Sequence, residues 1–351
     1  MATLVIDGKK CAFTKTQTIL EAARENGFHI PTLCYHKKTG PAGRCGLCVV
    51  KIEGMQGLQT ACTAEAEDGM SVKTETPEIL EARKTIVNLL LAAGEHNCLS
   101  CEANGECELQ NAAYELGIER PAFFAQNTPI PVDDSSAMIV RDAKKCIKCG
   151  RCVVACNCNV VNEVLYYGYR GCEMKVICDH DKPLVDSSCV QCGECVQLCP
   201  VGAAIDKKSI GRGRPWELEK VNTTCAYCGV GCQVTLHVDR SKNSIVKVTG
   251  RDTLPNEGML CVKGRYGFEF PSSENRLKYP LIKKNGKHER VSWDEALDYT
   301  AAKIKSIIDR DGPDVFSAFG SGRITNENNY ALMKFTRAVI KTNNIDHCAR
   351  T

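Results

Sequence analysis

Cys146-x2-Cys149-x2-Cys152-x3-Cys156 recurs 43 residues later as Cys189-x2-Cys192-x2-Cys195-x3-Cys199-Pro200. Thiolates are soft metal ligands, and such spacing lets neighbouring cysteines reach different irons of one inorganic core. An eight-cysteine duplicated pattern is hard to explain as two zinc sites. Three other groups have different spacings: Cys34-x10-Cys45-x2-Cys48-x13-Cys62, then Cys98-x2-Cys101-x5-Cys107 with His96 just before it, then Cys225-x2-Cys228-x3-Cys232-x28-Cys261. Together the groups use 19 of the 24 cysteines. Cys11, Cys158, Cys172, Cys178 and Cys348 are left over and are expected to be small buried hydrophobes.

Each group implies its own chemistry. Around Cys45 and Cys48, Gly43 and Gly46 free backbone N–H groups to face the negative inorganic sulfides. Unequal gaps and a glycine loop favour a [2Fe–2S] centre over a zinc knot at Cys34, Cys45, Cys48 and Cys62. Cys98, Cys101 and Cys107 leave one corner of a [4Fe–4S] cubane open, and His96 is the candidate to fill it. The duplicated run is that of bacterial two-cluster ferredoxins, in which the fourth cysteine serves the other cluster. One cubane is therefore expected on Cys146, Cys149, Cys152 and Cys199. The other is expected on Cys189, Cys192, Cys195 and Cys156. Asn157 stands where proline usually follows the first run. Cys158 is a rival to Cys156, which the x3 gap favours. Cys225, Cys228, Cys232 and Cys261 suit zinc or a fourth cubane by themselves, and the surrounding groups decide for iron.

Local patterns indicate what holds these ligands. Leu4–Ile6 and Cys11–Phe13 read as a hairpin, and Thr18-Ile19-Leu20-Glu21 is a capping box opening a helix that stops at Gly27. Strand, strand, helix and cysteine loop make a β-grasp layout. Glu78–Ala93 is helical, with apolar residues at 79, 80, 86, 87, 90 and 91. Arg120–Ala137, with Pro121, Pro129 and Pro131, reads as a linker. Lys207–Arg214 reads as a solvated basic connector, and Lys283–Arg290 as a polar turn. Gln233–Val238 and Ile245–Val248 are strand-like. Trp293–Asp309 is an amphipathic helix, Val315–Phe319 a short strand, Gly320–Arg323 a turn and Glu327–Lys341 a second helix. No apolar run approaches the roughly 18 residues of a membrane span, and the start lacks a signal-peptide layout. A reducing, cytoplasmic setting is expected, where 24 thiols mean metal and not disulfides. The formal net charge of +3 gives no reason to expect nucleic acid as a partner.

The first roughly 210 residues resemble the region shared by the complex I large iron–sulfur subunit, iron-only hydrogenases and cytosolic formate dehydrogenases. The matching residues are the Cys34/Cys45/Cys48/Cys62 loop, His96 with Cys98, Cys101 and Cys107, and the paired runs. In that family the histidine precedes the first cysteine by three intervening residues. That position is Gly94 here, and only Asn97 separates His96 from Cys98. The next segment resembles the first domain of molybdopterin oxidoreductases. The resemblance gives Lys263, two residues after Cys261, a relay place between cubane and pterin. Ser321-Gly322-Arg323-Ile324-Thr325-Asn326-Glu327 resembles the start of the large molybdopterin domain, which makes Arg323 a cofactor contact. Asn343–Thr351 resembles the stretch preceding the metal-ligating selenocysteine or cysteine of formate dehydrogenases. A UGA codon is accordingly expected after Thr351; a sense codon, UAA or UAG there would dismiss the idea.

The resulting fold class is a multidomain α/β and α+β iron–sulfur protein. Its parts are a β-grasp [2Fe–2S] domain (1–77), a [4Fe–4S] segment with one histidine and three cysteines (78–120) and a two-cluster ferredoxin domain (138–208). A molybdopterin-oxidoreductase [4Fe–4S] domain (218–275) and the start of an α/β molybdopterin domain (276–351) follow. The resemblance implies a formate dehydrogenase or CO2 reductase catalytic subunit, with one [2Fe–2S], four [4Fe–4S] and a Mo- or W-bis(molybdopterin guanine dinucleotide) in the complete enzyme. By itself the 351-residue chain is expected to be inactive in formate oxidation. The implied partner is a flavin- and NAD(P)-binding diaphorase subunit, a hydrogenase or a ferredoxin. The alternatives are a polyferredoxin-like carrier without chemistry of its own, a complex I large-subunit relative and a zinc scaffold.

Overall fold

The computed structural model describes residues 2–124 and 130–348. Pro129 of the linker and Ala349–Thr351 of the tail lie outside the described residues. The chain divides into two compact units. One holds everything up to Val221 with Leu236–Thr249 and Met259–Tyr266; the other holds Asn222–Thr235, Gly250–Gly258 and the residues from Gly267 onward.

The first unit opens with strands β1 (Ala2–Ile6) and β2 (Lys9–Phe13), a hairpin in which Leu4 faces Cys11. Helix α1 (Ile19–Glu25) starts at a full capping box: Glu21 N–H donates to Thr18 Oγ1, and Thr18 N–H donates to Glu21 Oε2. Two orphan donors are thereby satisfied, and the helix stops before Gly27, whose φ of +81° suits a residue without Cβ. Strands β3 (Val49–Ile52), β4 (Leu58–Thr60) and β5 (Ser71–Lys73) complete a five-stranded sheet of order β2-β1-β5-β3-β4. β5 lies parallel to β1, and α1 packs into the core with Ile19, Leu20, Ala22 and Ala23. This is the β-grasp arrangement.

Helix α2 (Pro77–Ala92) is capped by Thr76, with proline at its first position. It buries Ile79 and Val87 as its period requires, but also Arg83, whose Nη2 donates to the Val49 carbonyl. Leu80 is exposed instead. Helix α3 (Glu108–Glu115) begins directly at Cys107. Strands β6 (Ile139–Arg141) and β9 (Ala204–Asp206) pair antiparallel and bracket the duplicated run. Between them come helix α4 (Arg151–Val154), the hairpin β7 (Leu165–Gly168) and β8 (Lys175–Cys178), and helix α5 (Glu194–Gln197).

The two halves of the repeat share an unusual backbone. Lys148 and Gln191 both have positive φ, at +56° and +53°, and Gly150 and Gly193 follow at +87° and +75°. Left-handed non-glycine residues cost energy, and their recurrence at matching positions marks turns shaped for what they enclose.

The 207–214 stretch is not a solvated connector. Arg214 donates to the carbonyls of Cys101 and Leu99 at 2.7 and 3.1 Å. Arg212 Nη2 reaches the Ile245 carbonyl, and Lys208 Nζ the Tyr266 carbonyl. The basic side chains bond to backbone carbonyls from distant parts of the chain, which composition alone cannot reveal.

Asp206, at the end of β9, is 6% exposed. Burial pushes its carboxyl up to about 6, against the opposing pull of the Lys208 N–H and of Arg265, Lys247 and Lys208. The folded state thus holds this proton more tightly than the unfolded chain. Its contribution is present below the ordinary carboxylate range and is lost as pH rises through about 6. Asp206→Asn is expected to be more stable than the parent at pH 7.5, by up to about 3 kcal/mol. The difference should vanish below pH 4. Denaturant titrations at the two pH values measure it, and an equal effect at both would refute the assignment.

Strands β10 (Glu219–Thr224), β11 (Gln233–Asp239) and β12 (Ser244–Gly250) and helix α6 (Val262–Tyr266) come next along the chain. The 283–290 stretch, read above as a polar turn, is most of a hairpin. Its strands β13 (Leu281–Lys284) and β14 (Lys287–Arg290) join at Asn285-Gly286. Helix α7 (Trp293–Asp311) is capped by Ser292. The strand expected at Val315–Phe319 starts later, as β15 (Ala318–Gly320). Pro313–Val315 is a 3-10 turn, fixed because Thr342 Oγ1 and Asn344 Nδ2 donate to Asp314 at 2.8 Å each. After helix α8 (Asn326–Lys334), strand β16 (Ile345–His347) pairs parallel to β15.

Candidate iron–sulfur sites

Cys34, Cys48 and Cys62 are buried and Cys45 is half-buried. Their thiols touch: Cys34 is in side-chain contact with Cys45 and Cys62, and Cys62 with Cys48. Sharing protons within the group holds Cys34 far below the ordinary thiol range and Cys62 far above it. The backbone N–H groups of Arg44 and Cys45 point at Cys34, and those of Leu47 and Leu33 at Cys45. Gly43 and Gly46, with φ of +62° and +71°, let the loop turn its donors inward.

His96, Cys98, Cys101 and Cys107 line one small cavity with Lys145 and Gly202. The Nε2 of His96 lies 3.3 Å from the Leu90 carbonyl, so ligation through Nε2 requires the ring to leave that partner. Burial lowers the affinity of this imidazole for a proton, which keeps it in the neutral form that binds metal. Gly202 is needed here. A Cβ at that position would stand 2.5 Å from Cys101 Sγ.

In the repeat, Cys199 lies within electrostatic reach of Cys146, Cys149 and Cys152. Cys156 lies within reach of Cys189, Cys192 and Cys195. Cys158 is exposed. A cavity of about 440 Å³ is lined by Cys146, Cys149, Cys152, Cys195 and Cys199. Burial pushes the Cys149 thiol up to about 12 and the Cys199 thiol up to about 11. Bare thiolates are costly in such surroundings; iron held by these cysteines would supply the compensating positive charge. Lys148 N–H donates to Cys146 Sγ and Gln191 N–H to Cys189 Sγ, at 3.4 and 3.3 Å, from the matching left-handed positions. Arg141 donates to Cys178 Sγ at 2.5 Å and to the Val176 carbonyl.

In the second unit, Cys225, Cys228 and Cys232 share one turn, in which Cys225 N–H donates to the Cys232 carbonyl at 2.8 Å. Cys261 belongs to the Met259–Tyr266 stretch of the first unit. Lys263 is exposed on α6, and Arg323 is exposed in the turn after β15. Of the five spare cysteines, Cys11 and Cys178 are buried. Cys158, Cys172 and Cys348 are exposed, contrary to the expectation of buried hydrophobes. Cys348 Sγ accepts the Gly322 N–H at 3.3 Å. Among the described residues no three His, Cys, Asp or Glu side chains close on the position of a single metal ion.

Soft donor sets, inward N–H groups and a glycine that makes room for a sulfur define an iron–sulfur electron-transfer protein. Five family descriptions match in series: 2Fe-2S iron-sulfur cluster binding domain at 1–77, NADH-ubiquinone oxidoreductase-G iron-sulfur binding region at 83–122, and 4Fe-4S dicluster domain at 145–203. They continue with molybdopterin oxidoreductase Fe4S4 domain at 218–273 and molybdopterin oxidoreductase at 276–351. The whole chain is 36% identical to NADPH-Fe(3+) oxidoreductase subunit alpha of Geobacter sulfurreducens and 35% identical to an NADH-quinone oxidoreductase chain of Rhizobium meliloti, covering 40% of each. A Staphylococcus aureus chain provisionally named a formate dehydrogenase is 31% identical over 99% of this chain and 39% of its own length. The crystal structure of an NAD+-reducing [NiFe]-hydrogenase in the H2-reduced state contains a chain that is 32% identical, with a TM-score of 0.58, covering 60% of this chain and 90% of that one. Residues 218–351 match the molybdopterin oxidoreductase family, and the residues before them carry iron–sulfur domains like those of the large iron–sulfur subunit of complex I. It spans about 40% of the length of the curated relatives it matches. Among the described residues no helix is long and apolar enough to cross a membrane.

Proposed function

We propose that this chain is the iron–sulfur portion of the catalytic subunit of a cytoplasmic formate dehydrogenase or CO2 reductase. One observation carries the reading: the relay modules and the molybdopterin modules follow one another in a single chain. The clusters, once bound, supply one-electron storage at graded potentials. The chain's own residues hold them in place and set those potentials through burial and N–H···S contacts. In this reading the ligands are the nineteen cysteines of the five groups, with His96 completing the second. Lys263 would relay electrons between cubane and pterin, and Arg323 would contact the pterin. The electrons go to a flavin- and NAD(P)-binding subunit, a hydrogenase or a ferredoxin.

A second reading, an electron carrier without a catalytic site of its own, is favoured by the likeness to a chain of an NAD+-reducing hydrogenase. Pterin analysis of protein purified from its native host separates the two, because a pure carrier has no use for pterin.

Iron and acid-labile sulfide analysis tests what both readings share. One [2Fe–2S] and four [4Fe–4S] centres require about 18 iron atoms per chain. Anaerobically reconstituted protein with about four zinc and no labile sulfide would overturn both.

A further inference from the structure

Tyr266, the last residue of α6, is 2% exposed, and its hydroxyl has no hydrogen-bond partner among the described residues. A buried phenol without a partner is costly unless something completes it. The side chain lies in a buried cluster against which Cys156, Cys189 and Cys195 pack, together with Cys146 and Cys152 of the other run, so its place beside Gly193 and Cys192 decides which cubane it faces. Its hydroxyl also lies against Gly193, in the turn that follows Cys192; a Cβ on Gly193 would collide with it and with Arg265. Arg265 fixes the arrangement from the preceding position. Its Nε donates to the Cys192 carbonyl at 2.7 Å, and its Nη2 pairs with the buried Glu194 at 3.0 Å.

The other half of the repeat has a counterpart. Gly150, the equivalent of Gly193, is approached by the Tyr167 hydroxyl and by Arg44. Arg44 stacks 4.3 Å from the Tyr167 ring. The Tyr167 hydroxyl, unlike that of Tyr266, donates to a carbonyl, that of Lys148 at 3.2 Å. Each Cys-Gly turn is thus covered by a tyrosine and an arginine. Only the one beside Gly193 leaves its hydroxyl proton unused.

We propose that Tyr266 donates its O–H to a sulfur of the cubane held by Cys156, Cys189, Cys192 and Cys195, with Arg265 as the positioning residue. The proposal rests on the ligand assignment given above. A hydrogen bond to cluster sulfur stabilises the reduced, more negative core and raises its potential. Residues placed four and five positions after Cys261 therefore set the potential of a centre that Cys261 does not ligate.

The test is an EPR-monitored redox titration of the reconstituted full chain against Tyr266→Phe and Tyr167→Phe. Tyr266→Phe should move one [4Fe–4S] midpoint to more negative values, with iron content unchanged. It should also remove an exchangeable deuteron coupling from that signal. Tyr167→Phe should leave the same midpoint in place. A Tyr266→Phe protein with full iron and unmoved midpoints would overturn the proposal, whereas absence of [4Fe–4S] signals from the parent would overturn the ligand assignment itself. If Tyr266→Phe folds poorly, Arg265→Lys should produce a smaller shift of the same sign; full iron and no shift there counts equally against the proposal.

Discussion

Cys156→Ala is expected to cost the protein the cubane of the Cys189 run, not that of the run in which it stands. Cys156 lies within reach of Cys189, Cys192 and Cys195, while Cys199 has taken the corresponding place beside Cys146. A cubane deprived of one thiolate loses iron or falls to a three-iron form, and both are visible by iron analysis and EPR. Pairwise substitution exposes the crossing. Cys156→Ala combined with Cys189→Ala should lose no more than about the four irons of one cluster. Cys156→Ala combined with Cys146→Ala should lose about twice that, because two centres are then broken. Cys158→Ala should change nothing, since that thiol is exposed. The reverse pattern, about eight irons lost from the Cys156/Cys189 double variant and about four from the Cys156/Cys146 one, would show that the runs do not exchange ligands.

Gly202→Ala is expected to abolish the cluster beside His96. The added methyl would stand 2.5 Å from Cys101 Sγ and 3.4 Å from the Ala103 Cβ. Cys101 is buried, and Arg214 ties its carbonyl at 2.7 Å, so the backbone has little room to yield. Overpacking of this kind costs about 1–3 kcal/mol in an ordinary core. Here it falls on a ligand that must keep its bond geometry, so the loss should appear as about four irons per chain rather than as unfolding. Iron content and thermal melting together check it. A Gly202→Ala protein with full iron would show that the segment relaxes around the methyl. His96→Ala provides the contrast. If the imidazole is a ligand, that variant alters the same signal; if not, the signal persists unmoved.

These two effects differ in how visible they were. The proposed partition of Cys156 and Cys199 rests on the two-cluster ferredoxin pattern, in which the fourth cysteine of each run serves the other cluster. The β-grasp sheet was legible from a hairpin, a capping box and a cysteine loop, all local signals. Gly202, Arg214 and Tyr266 were not legible. Each acts on a partner far away in the chain: Cys101 for Gly202, Leu99 and Cys101 for Arg214, Gly193 for Tyr266. The 207–214 stretch looked like a solvated connector because charge and glycine content are local properties. The carbonyls that absorb its cations are brought in by the fold. Arg83 is the same lesson on a helix: the apolar period selected Ile79 and Val87 correctly, but a cation filled a buried position by bonding to the Val49 carbonyl. Burial of the spare cysteines also failed as a rule. Cys158, Cys172 and Cys348 stand exposed, because burial is a tendency of the residue type and the local chain course decides each case.

The proposed exchange of the fourth cysteines has a consequence for biosynthesis. On a growing chain the ligands emerge in sequence order, and the set around Cys146 is incomplete until Cys199 appears, 53 positions later. At common elongation rates that leaves three of its thiols waiting roughly 3–10 s. The set around Cys189 already has its distant member, Cys156, and closes as soon as Cys195 is made. The motif written second is therefore completed first, and the motif written first is completed last. Under the proposed ligand assignment, iron loading of this domain would be timed by the end of the repeat, and neither cubane could be built on the first half alone.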